Sequence, residues 1–254
     1  SEPFSKTKHE NAITFKWVYT KKPVDPKQLK GLQNDPLKCK ILVENGASRV
    51  KARLVVRGFQ EQVSLDTASP TCRRQMLAIA LSWATVKNYE VLSGDTPNAF
   101  LRGKDLQRPV FIFPPPEHPD FSRGHIWSLT KCVYGLIDAP LRWFEAAKDM
   151  IQSCDGKYHS LDPATAYFPD ASTGQVQGLV PWHVDDFIFT GSEKFFKEIF
   201  PRLKNTLSFP ETENPKDPGG MRFTGAYIIR NQEGMTISQD IYVSGLTPID
   251  TAAI

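Results

Sequence analysis

Residues 178–190 read Gly-Leu-Val-Pro-Trp-His-Val-Asp-Asp-Phe-Ile-Phe-Thr, two short apolar runs that meet at an acidic pair. This pattern predicts two antiparallel strands joined by a tight turn, with carboxylates at the tip. The pair alone is weak evidence, because 16 aspartates in 254 residues give roughly one adjacent Asp pair by chance. Neighbouring side chains on a strand point to opposite faces. We therefore predict that Asp185 is the principal ligand of any bound cation and that Asp186 lies beside it or faces away.

A second acidic site lies 90 residues earlier, in residues 94–101, which read Gly-Asp-Thr-Pro-Asn-Ala-Phe-Leu. Asp95 follows a short apolar-leaning stretch and precedes Pro97, which predicts a position at the end of a strand, facing a cleft. Taken by itself, Asp95 is better explained as a turn or N-cap residue. If Asp95, Asp185 and Asp186 converge, their oxygens can hold two Mg²⁺ ions, or Mn²⁺ in their place, as polymerases that transfer a nucleotidyl group require.

Five further motifs accompany these two sites. They are residues 15–19 (Phe-Lys-Trp-Val-Tyr), 50–59 (Val-Lys-Ala-Arg-Leu-Val-Val-Arg-Gly-Phe), 68–71 (Ala-Ser-Pro-Thr), 133–143 (Val-Tyr-Gly-Leu-Ile-Asp-Ala-Pro-Leu-Arg-Trp) and 223–225 (Phe-Thr-Gly) with 234–239. With residues 95–101 and 183–192, they make seven motifs in one order over about 220 residues. With these seven motifs in this order, the chain resembles the reverse transcriptase segment of copia-type retrotransposon polyproteins.

The resemblance implies an α+β fold, the fingers and palm of a right-hand polymerase, with an antiparallel palm sheet backed by helices. Residues 1–90 would form a fingers-like region with the start of the palm. Residues 91–254 would form the palm, with part of the fingers near 105–140. The thumb would be largely absent and the RNase H region missing.

The resemblance also implies a reaction and its residues. Deoxynucleotides would be added to a primer by a two-metal mechanism on an RNA template. Asp95 and Asp185 would bridge both ions, and Asp186 would complete the site. Lys51 and Arg53 would bind the triphosphate of the incoming dNTP; without the resemblance, outward-facing charges on a strand are the preferred interpretation of both.

Two more residues match nucleotide-binding positions of the family. Phe100 would lie beneath the sugar and exclude a 2′-hydroxyl, although a core aromatic is the alternative interpretation. Gly135 would let the backbone approach the templating base pair, because a Cβ there would intrude; a simple turn glycine is the alternative.

The chain also departs from the family pattern. His183 stands where the family has tyrosine, and Ile137-Asp138 replaces Lys-Gln. Losing a lysine and gaining an acid near the nucleotide pocket is expected to work against phosphate binding. Pro97 follows Asp95 closely, and Pro181 lies in a strand where its missing N–H removes a ladder bond.

Composition agrees with a globular nucleic-acid enzyme. The chain is 40% hydrophobic and has a net charge of only +3. Residues 1–60 hold 13 Lys or Arg against 5 acidic residues, whereas residues 61–254 hold 18 against 23. A basic N-terminal region that meets phosphates is one interpretation of this asymmetry, and a lysine-rich solvated surface is the other.

The four cysteines are widely spaced and form no zinc pattern, which indicates reduced thiols in an intracellular protein of unknown compartment. No apolar stretch is long enough to predict a membrane span. Because the chain begins at Ser1 rather than Met, we expect a processed or trimmed piece of a longer protein.

Periodicity and turn signals predict the main elements. Strands are expected at 15–19, 39–43, 49–56 and 126–129, with an Asn45-Gly46 hairpin between the second and third, and a closing hairpin at 221–229 and 235–238. Helices are expected at 72–86, mostly buried, from Pro140 through Ile151, and at 195–207 as one amphipathic helix. Residues 1–12, 109–119 and 211–220 are predicted to be irregular.

Two functions therefore remain open, an RNA-directed DNA polymerase core and a retrotransposon-derived, non-catalytic scaffold or accessory subunit of a larger assembly. The three aspartates favour the polymerase, which would bind template-primer and dNTP. The departures and the absent thumb favour the scaffold, which would bind protein subunits. A nucleic-acid-binding module without chemistry would need only the basic region.

Overall fold

The computed structural model describes residues 2, 3, 5, 11–23, 48–61 and 64–246. The described strands are β1 (Glu2–Pro3), β2 (Phe15–Pro23), β3 (Ser48–Val56), β4 (Glu90–Asp95), β5 (Phe111–Ile112), β6 (His125–Ser128), β7 (Lys157–His159), β8 (Asp162–Pro169), β9 (Val176–His183), β10 (Asp186–Gly191), β11 (Thr212–Glu213), β12 (Met221–Phe223), β13 (Ala226–Arg230) and β14 (Met235–Ser238). The described α-helices are α1 (Arg74–Val86), α2 (Pro119–Ser122), α3 (Ala139–Gln152), α4 (Glu193–Glu198), α5 (Phe200–Leu207) and α6 (Asp240–Ser244).

The chain divides into two compact units. The first holds residues 1–66 and 105–139, and the second holds residues 67–104 and 140–254. All pairings between these strands are antiparallel. The mixed helix and strand content with antiparallel sheets confirms the predicted α+β class. None of the helices in the described ranges is long and apolar enough to cross a bilayer.

In the first unit, β2 and β3 form a two-stranded ribbon that runs from the Phe15–Val56 pair to the Pro23–Ser48 pair. Aromatic and β-branched residues in β2 and the valines of β3 favour this extended pairing. The predicted strands at 15–19 and 49–56 are confirmed, and the first is longer than expected. The predicted strand at 39–43 and the Asn45-Gly46 hairpin lie outside the described residues. A second sheet of this unit has the order β1-β6-β5.

The second unit is built on a six-stranded sheet of order β11-β4-β10-β9-β8-β7. Its central strand β10 is buried on both faces, because its side chains alternate between two apolar clusters. Phe187 and Phe189 join the larger cluster, which includes residues of α3, α4 and α5. Ile188 joins the smaller cluster, formed with residues of α1 and of the β12-β13 pair. This two-sided packing fixes β10 and the acidic turn before it.

Several predicted elements differ in detail. The helix α1 is not mostly buried: it buries Ala80, Leu81 and Ala84, whereas Ile79 and Val86 are exposed. One face of the helix therefore meets the core, as in an ordinary amphipathic helix.

The predicted helix at 195–207 is two helices, α4 and α5. Pro201 lies in the first turn of α5, where its missing N–H is tolerated, but it could not continue a helix from α4. Short strands β5 and β11 occupy stretches that were predicted to be irregular, and β7 and β8 had not been predicted.

The loop of residues 132–138, in the first unit, packs tightly against the end of β3. Gly135 has φ +98°, and a Cβ added there would lie 1.9 Å from the Val56 carbonyl oxygen. Both the backbone angle and the contact therefore require glycine. This close contact within the first unit is enough to explain why the residue is glycine. It agrees with the alternative interpretation of Gly135 as a turn glycine. Its predicted approach to a templating base pair stays a prediction.

Gly135→Ala is expected to lower the free energy of unfolding by about 2–3 kcal/mol, because the backbone oxygen of Val56 cannot move aside cheaply. Gly174→Ala is the matched control. Gly174 also has positive φ, +71°, but nothing lies within 4 Å of an added Cβ. It should cost only about 1 kcal/mol, the strain of the backbone angle alone. Urea unfolding followed by circular dichroism measures both, and equal losses would contradict the packing argument.

Candidate metal centre

The three predicted carboxylates come together in the second unit. Asp95 is the last residue of β4, Asp186 is the first residue of β10, and the two are directly opposite each other in the antiparallel pair. Asp185 precedes Asp186 in the turn. One carboxylate oxygen from each residue lies within 4.8 Å of the other two. The sheet therefore gathers negative charge from two distant parts of the sequence at one point.

The turn that carries Asp185 consists of two residues, Val184 and Asp185, between the paired residues His183 and Asp186. Val184 has φ +57°, which is a genuine outlier for a β-branched residue. Asp185 thus lies in a turn rather than on a strand, so strand alternation does not apply to it. For this reason Asp186 does not face away, and both side chains point toward Asp95.

Two hydrogen bonds to backbone carbonyl oxygens hold this strained turn. The indole Nε1 of buried Trp143, on α3, donates to the Val184 carbonyl at 2.7 Å. The Thr96 amide, next to Asp95, donates to the Asp185 carbonyl at 3.0 Å. Strained backbone persists only where its surroundings determine it strongly. Here Trp143 of α3 and Thr96, which follows β4, do so through these two hydrogen bonds.

The two prolines near the site do not disrupt it. Pro97 lies beyond the end of β4 and is exposed, so it breaks no ladder. Pro181 lies inside β9, which continues through it and pairs Pro181 with Thr165 of β8. Pairing of β9 with β10 is carried by residues on either side, among them the Trp182–Phe187 pair. The hydrogen bond that Pro181 cannot donate is therefore missing only locally in the sheet.

The carboxyl group of Asp186 has a perturbed pKa. Its pKa is raised from 3.8 to about 6, mainly by burial and also by the negative charges of Asp185 and Asp95. A hydrogen bond from the Thr224 amide at 3.3 Å and the nearby His183 act in the opposite direction. Three carboxylates so close together repel one another, and a bound cation would relieve that repulsion.

This raised pKa predicts a pH dependence of stability in metal-free protein. The folded carboxyl holds its proton more tightly than the unfolded one, so the stabilisation is complete below about pH 4 and is lost as the pH rises to about 6. Allowing for solvent screening of a partly buried group, the loss is about 1–2 kcal/mol. Urea unfolding in chelator across this range measures it. Asp186→Asn should lack this step, and a step of the same size in that variant would refute the assignment.

The donor set suits hard divalent cations. Mg²⁺ binds oxygen ligands at about 2.0–2.1 Å and prefers carboxylates combined with water and phosphate. In two-metal sites the ions lie about 3.5–4 Å apart, so three oxygens within 4.8 Å of one another can contact such a pair. Asp95, Asp185 and Asp186 therefore fit the role of metal ligands on both chemistry and spacing.

The remaining predicted site residues are divided between the units. Phe100 belongs to the same unit as the carboxylates, in a short 3-10 helix (Ala99–Arg102), half-buried and packed against the larger core cluster. Lys51, Arg53 and Gly135 belong to the first unit. Lys51 and Arg53 are both half-buried and share one face of β3, since they are two residues apart.

Asp138 was expected to repel phosphate because its charge would lie near the nucleotide pocket. The structure does not support that expectation. Its side chain is only 2% exposed and forms an ion pair with Arg108 at 3.0 Å. The same guanidinium pairs with Glu61 at 2.8 Å. A buried carboxylate that is paired in this way does not present itself to an incoming anion. The acid gained at this position is part of the interior of the first unit.

Comparison with known proteins identifies the family. The sequence profile described as reverse transcriptase (RNA-dependent DNA polymerase) matches residues 4–248. The chain belongs to this family. The match confirms the resemblance derived from the motifs, and the carboxylates lie in the motifs on which that resemblance depends. No solved structure matches this reverse transcriptase domain.

Its curated relatives are transposon proteins. The domain is 30% identical over 221 residues to the Retrovirus-related Pol polyprotein from transposon TNT 1-94 of Nicotiana tabacum, covering 82% of this chain. It is 27% identical over 244 residues to the polyprotein from transposon RE1 of Arabidopsis thaliana, covering 94% of this chain. The chain spans 16% and 15% of the lengths of these two relatives. These relatives confirm the recognition of a copia-type reverse transcriptase.

Some residues that build the site were missed as site residues. Thr96, Trp143 and Thr224 contact the acidic turn or Asp186 through hydrogen bonds that involve backbone groups. Each lies within or next to a recognised motif, which was the available signal. Their roles depend on partners 38 to 89 positions away in the sequence, so spacing alone could not reveal them.

Proposed function

We propose that the chain is an RNA-directed DNA polymerase core that adds deoxynucleotides to a primer by a two-metal mechanism. The observation that carries this proposal is the convergence of Asp95, Asp185 and Asp186 at the adjacent ends of β4 and β10. In a chain of the reverse transcriptase family, that convergence supports retained chemistry. A decayed scaffold would be under no physical requirement to hold three repelling carboxylates together.

Asp95, Asp185 and Asp186 would together hold two divalent cations. The chemistry supplied by such a bound pair is a more acidic primer 3′-hydroxyl and compensation of the charge that develops on the pyrophosphate. The chain itself contributes a fixed ligand geometry. Trp143 and Thr96 restrain the turn of Asp185, and the Thr224 amide orients the Asp186 carboxylate.

The other predicted residues would bind the nucleotide. Lys51 and Arg53 would donate charge-assisted hydrogen bonds to the triphosphate. Phe100 would exclude a 2′-hydroxyl and so select deoxynucleotides. Gly135 would allow close approach of the templating base pair, although its contact with Val56 already accounts for the glycine.

We also propose that the second unit corresponds to the palm and that the first unit corresponds to the fingers. The carboxylates on an antiparallel sheet packed against α3 support the first assignment. The ribbon of β2 and β3, with its basic residues, supports the second. Its basic character suits contact with the phosphates of template, primer or nucleotide.

Primer extension tests the proposal. The purified chain, an RNA template with an annealed DNA primer, dNTPs and Mg²⁺ should yield extended primer, and a chelator should abolish it. Ribonucleotides should be used far less well. If the folded chain gives no extension with Mg²⁺ or Mn²⁺, the polymerase is refuted. Stoichiometric co-purification with protein subunits would then support the scaffold, and template binding alone would support a nucleic-acid-binding module.

A further inference from the structure

The loop of residues 132–138 is fixed at its N-terminal half by the end of β3. The Val56 amide donates to the Tyr134 carbonyl at 2.7 Å. Gly58 and Gly135 approach so closely that a Cβ on Gly58 would lie 2.1 Å from the Gly135 carbonyl oxygen. The position of Tyr134 is therefore tied to the same strand that carries Lys51 and Arg53.

The C-terminal half of the loop is fixed by a buried ion triad of Glu61, Arg108 and Asp138. The exposed fractions of the three side chains are 4%, 16% and 2%. Burial lowers the pKa of Arg108, but its hydrogen bonds with Glu61 and Asp138 more than offset this, so its pKa is raised. Two carboxylates share one guanidinium in the interior, and breaking such an arrangement is costly. Asp138 therefore holds the loop to a second part of the unit.

The aromatic ring in this doubly fixed loop contacts Arg53. The Arg53 guanidinium carbon lies 5.7 Å from the centroid of the Tyr134 ring, within the range of a cation–π contact. A cation–π contact acts between the positive charge of the guanidinium and the ring, and it does not use an N–H donor as a hydrogen bond does. The contact thus restricts the side chain without consuming the donors that a phosphate requires.

We propose that Tyr134 positions Arg53 for the triphosphate of the incoming nucleotide, and that the Glu61–Arg108–Asp138 triad holds Tyr134 in place. This inference rests on the proposed polymerase function. Tyr134 and Asp138 are positioning residues here, because they act through Arg53 and need not touch the nucleotide. Preorganising a flexible cation reduces the entropy lost when it binds, so the effect falls on nucleotide affinity.

Steady-state extension by the full chain tests the inference, with dTTP on poly(rA) primed by oligo(dT). Tyr134→Leu should raise the KM for dTTP about tenfold while kcat changes little. Tyr134→Phe keeps the aromatic face and should retain the wild-type KM. In an Arg53→Leu background, Tyr134→Leu should add nothing further, because the side chain to be positioned is gone. Asp138→Asn should raise the KM less than Tyr134→Leu.

Tyr19→Leu is the matched control. Tyr19 pairs with Ala52, so it lies on the opposite face of the ribbon from Arg53, and it is 67% exposed. Its replacement should leave the equilibrium binding of Mg²⁺-dTTP unchanged. A purely structural role for Tyr134 would lower the active fraction, and thus the apparent kcat, without moving the KM.

The outcomes separate the two proposals. An active wild type with an unchanged KM in Tyr134→Leu overturns the inference and leaves the polymerase intact. A raised KM in both Tyr134→Leu and Tyr134→Phe also overturns it, because the hydroxyl rather than the ring face would then matter. A folded wild type that neither extends the primer nor binds Mg²⁺-dTTP overturns the proposed function and, with it, the inference.

Discussion

Asp185→Asn is expected to lower primer extension by at least about 1,000-fold, because a neutral amide in place of a carboxylate proposed as a metal ligand would weaken cation binding. The substitution keeps the size of the side chain and the backbone hydrogen bond from Thr96. The turn should therefore remain folded while its charge is lost. Rates of extension on a primed RNA template, at saturating Mg²⁺ and dNTP, measure the effect.

Two observations make this result specific. Metal-free Asp185→Asn should be at least as stable as the wild type, since one of three repelling charges is gone. The wild type should melt at a higher temperature with Mg²⁺ than in chelator, and the variant should lose most of that difference. Asp155→Asn is the control: this aspartate is 75% exposed and pairs with Arg202 at the surface. Comparable extension by Asp185→Asn and the wild type would rule out the two-metal assignment.

Arg108→Met is expected to lower the free energy of unfolding by about 3–5 kcal/mol, because Glu61 and Asp138 would remain as buried charges without their common cation. Methionine retains much of the aliphatic stem, so lost packing contributes little. Urea unfolding at neutral pH, where both carboxylates of the unfolded chain are ionised, measures the loss.

A compensated variant separates charge from packing in this triad. Arg108→Met combined with Glu61→Gln and Asp138→Asn removes all three charges with near-isosteric groups and should recover most of the lost stability. Arg202→Met, which breaks the exposed pair with Asp155 at 2.6 Å, should change stability little. If the single and triple Arg108 variants were equally unstable, charge burial would not be the cause.

The candidate site was predictable to the extent that its residues lie in short motifs. Asp95, Asp185 and Asp186 were singled out because they lie in two of seven motifs that occur in one order, and the apolar runs beside them are a local signal of strands and turns. The predicted principal role of Asp185 within the trio is still a prediction. The orientation of Asp186 could not be predicted, since a two-residue turn places Asp185 outside the strand and strand alternation does not apply there.

The fold was predictable where local patterns are strong. The helix α3 and the strands β2, β3, β9 and β10 follow from periodicity and turn residues. The division of residues 195–207 into two helices was missed, although Pro201 was a local signal for it. β7 and β8 were missed because residues 157–169 carry small and polar residues among the apolar ones, and strand formation here depends on tertiary pairing, of β7 with β8 and of β8 with β9.

Asp138 shows the limit of sequence reasoning most clearly. In the sequence it is an acid beside a predicted nucleotide pocket, and electrostatics alone predicts repulsion of phosphate. In the fold it lies 2% exposed against Arg108, a residue 30 positions away. Burial and pairing change what a charge does, and neither is a property of the local sequence.

The order of the motifs and the identities of three aspartates were enough to determine the family and the class of fold. Local patterns and metal-binding residue types can be recognised from the identity and order of the residues alone. Tertiary structure decided whether those aspartates share one site, how Thr96, Trp143 and Thr224 restrain them, and where Asp138 lies. These properties depend on contacts between residues tens of positions apart, and only the packed sheet and loops set such distances.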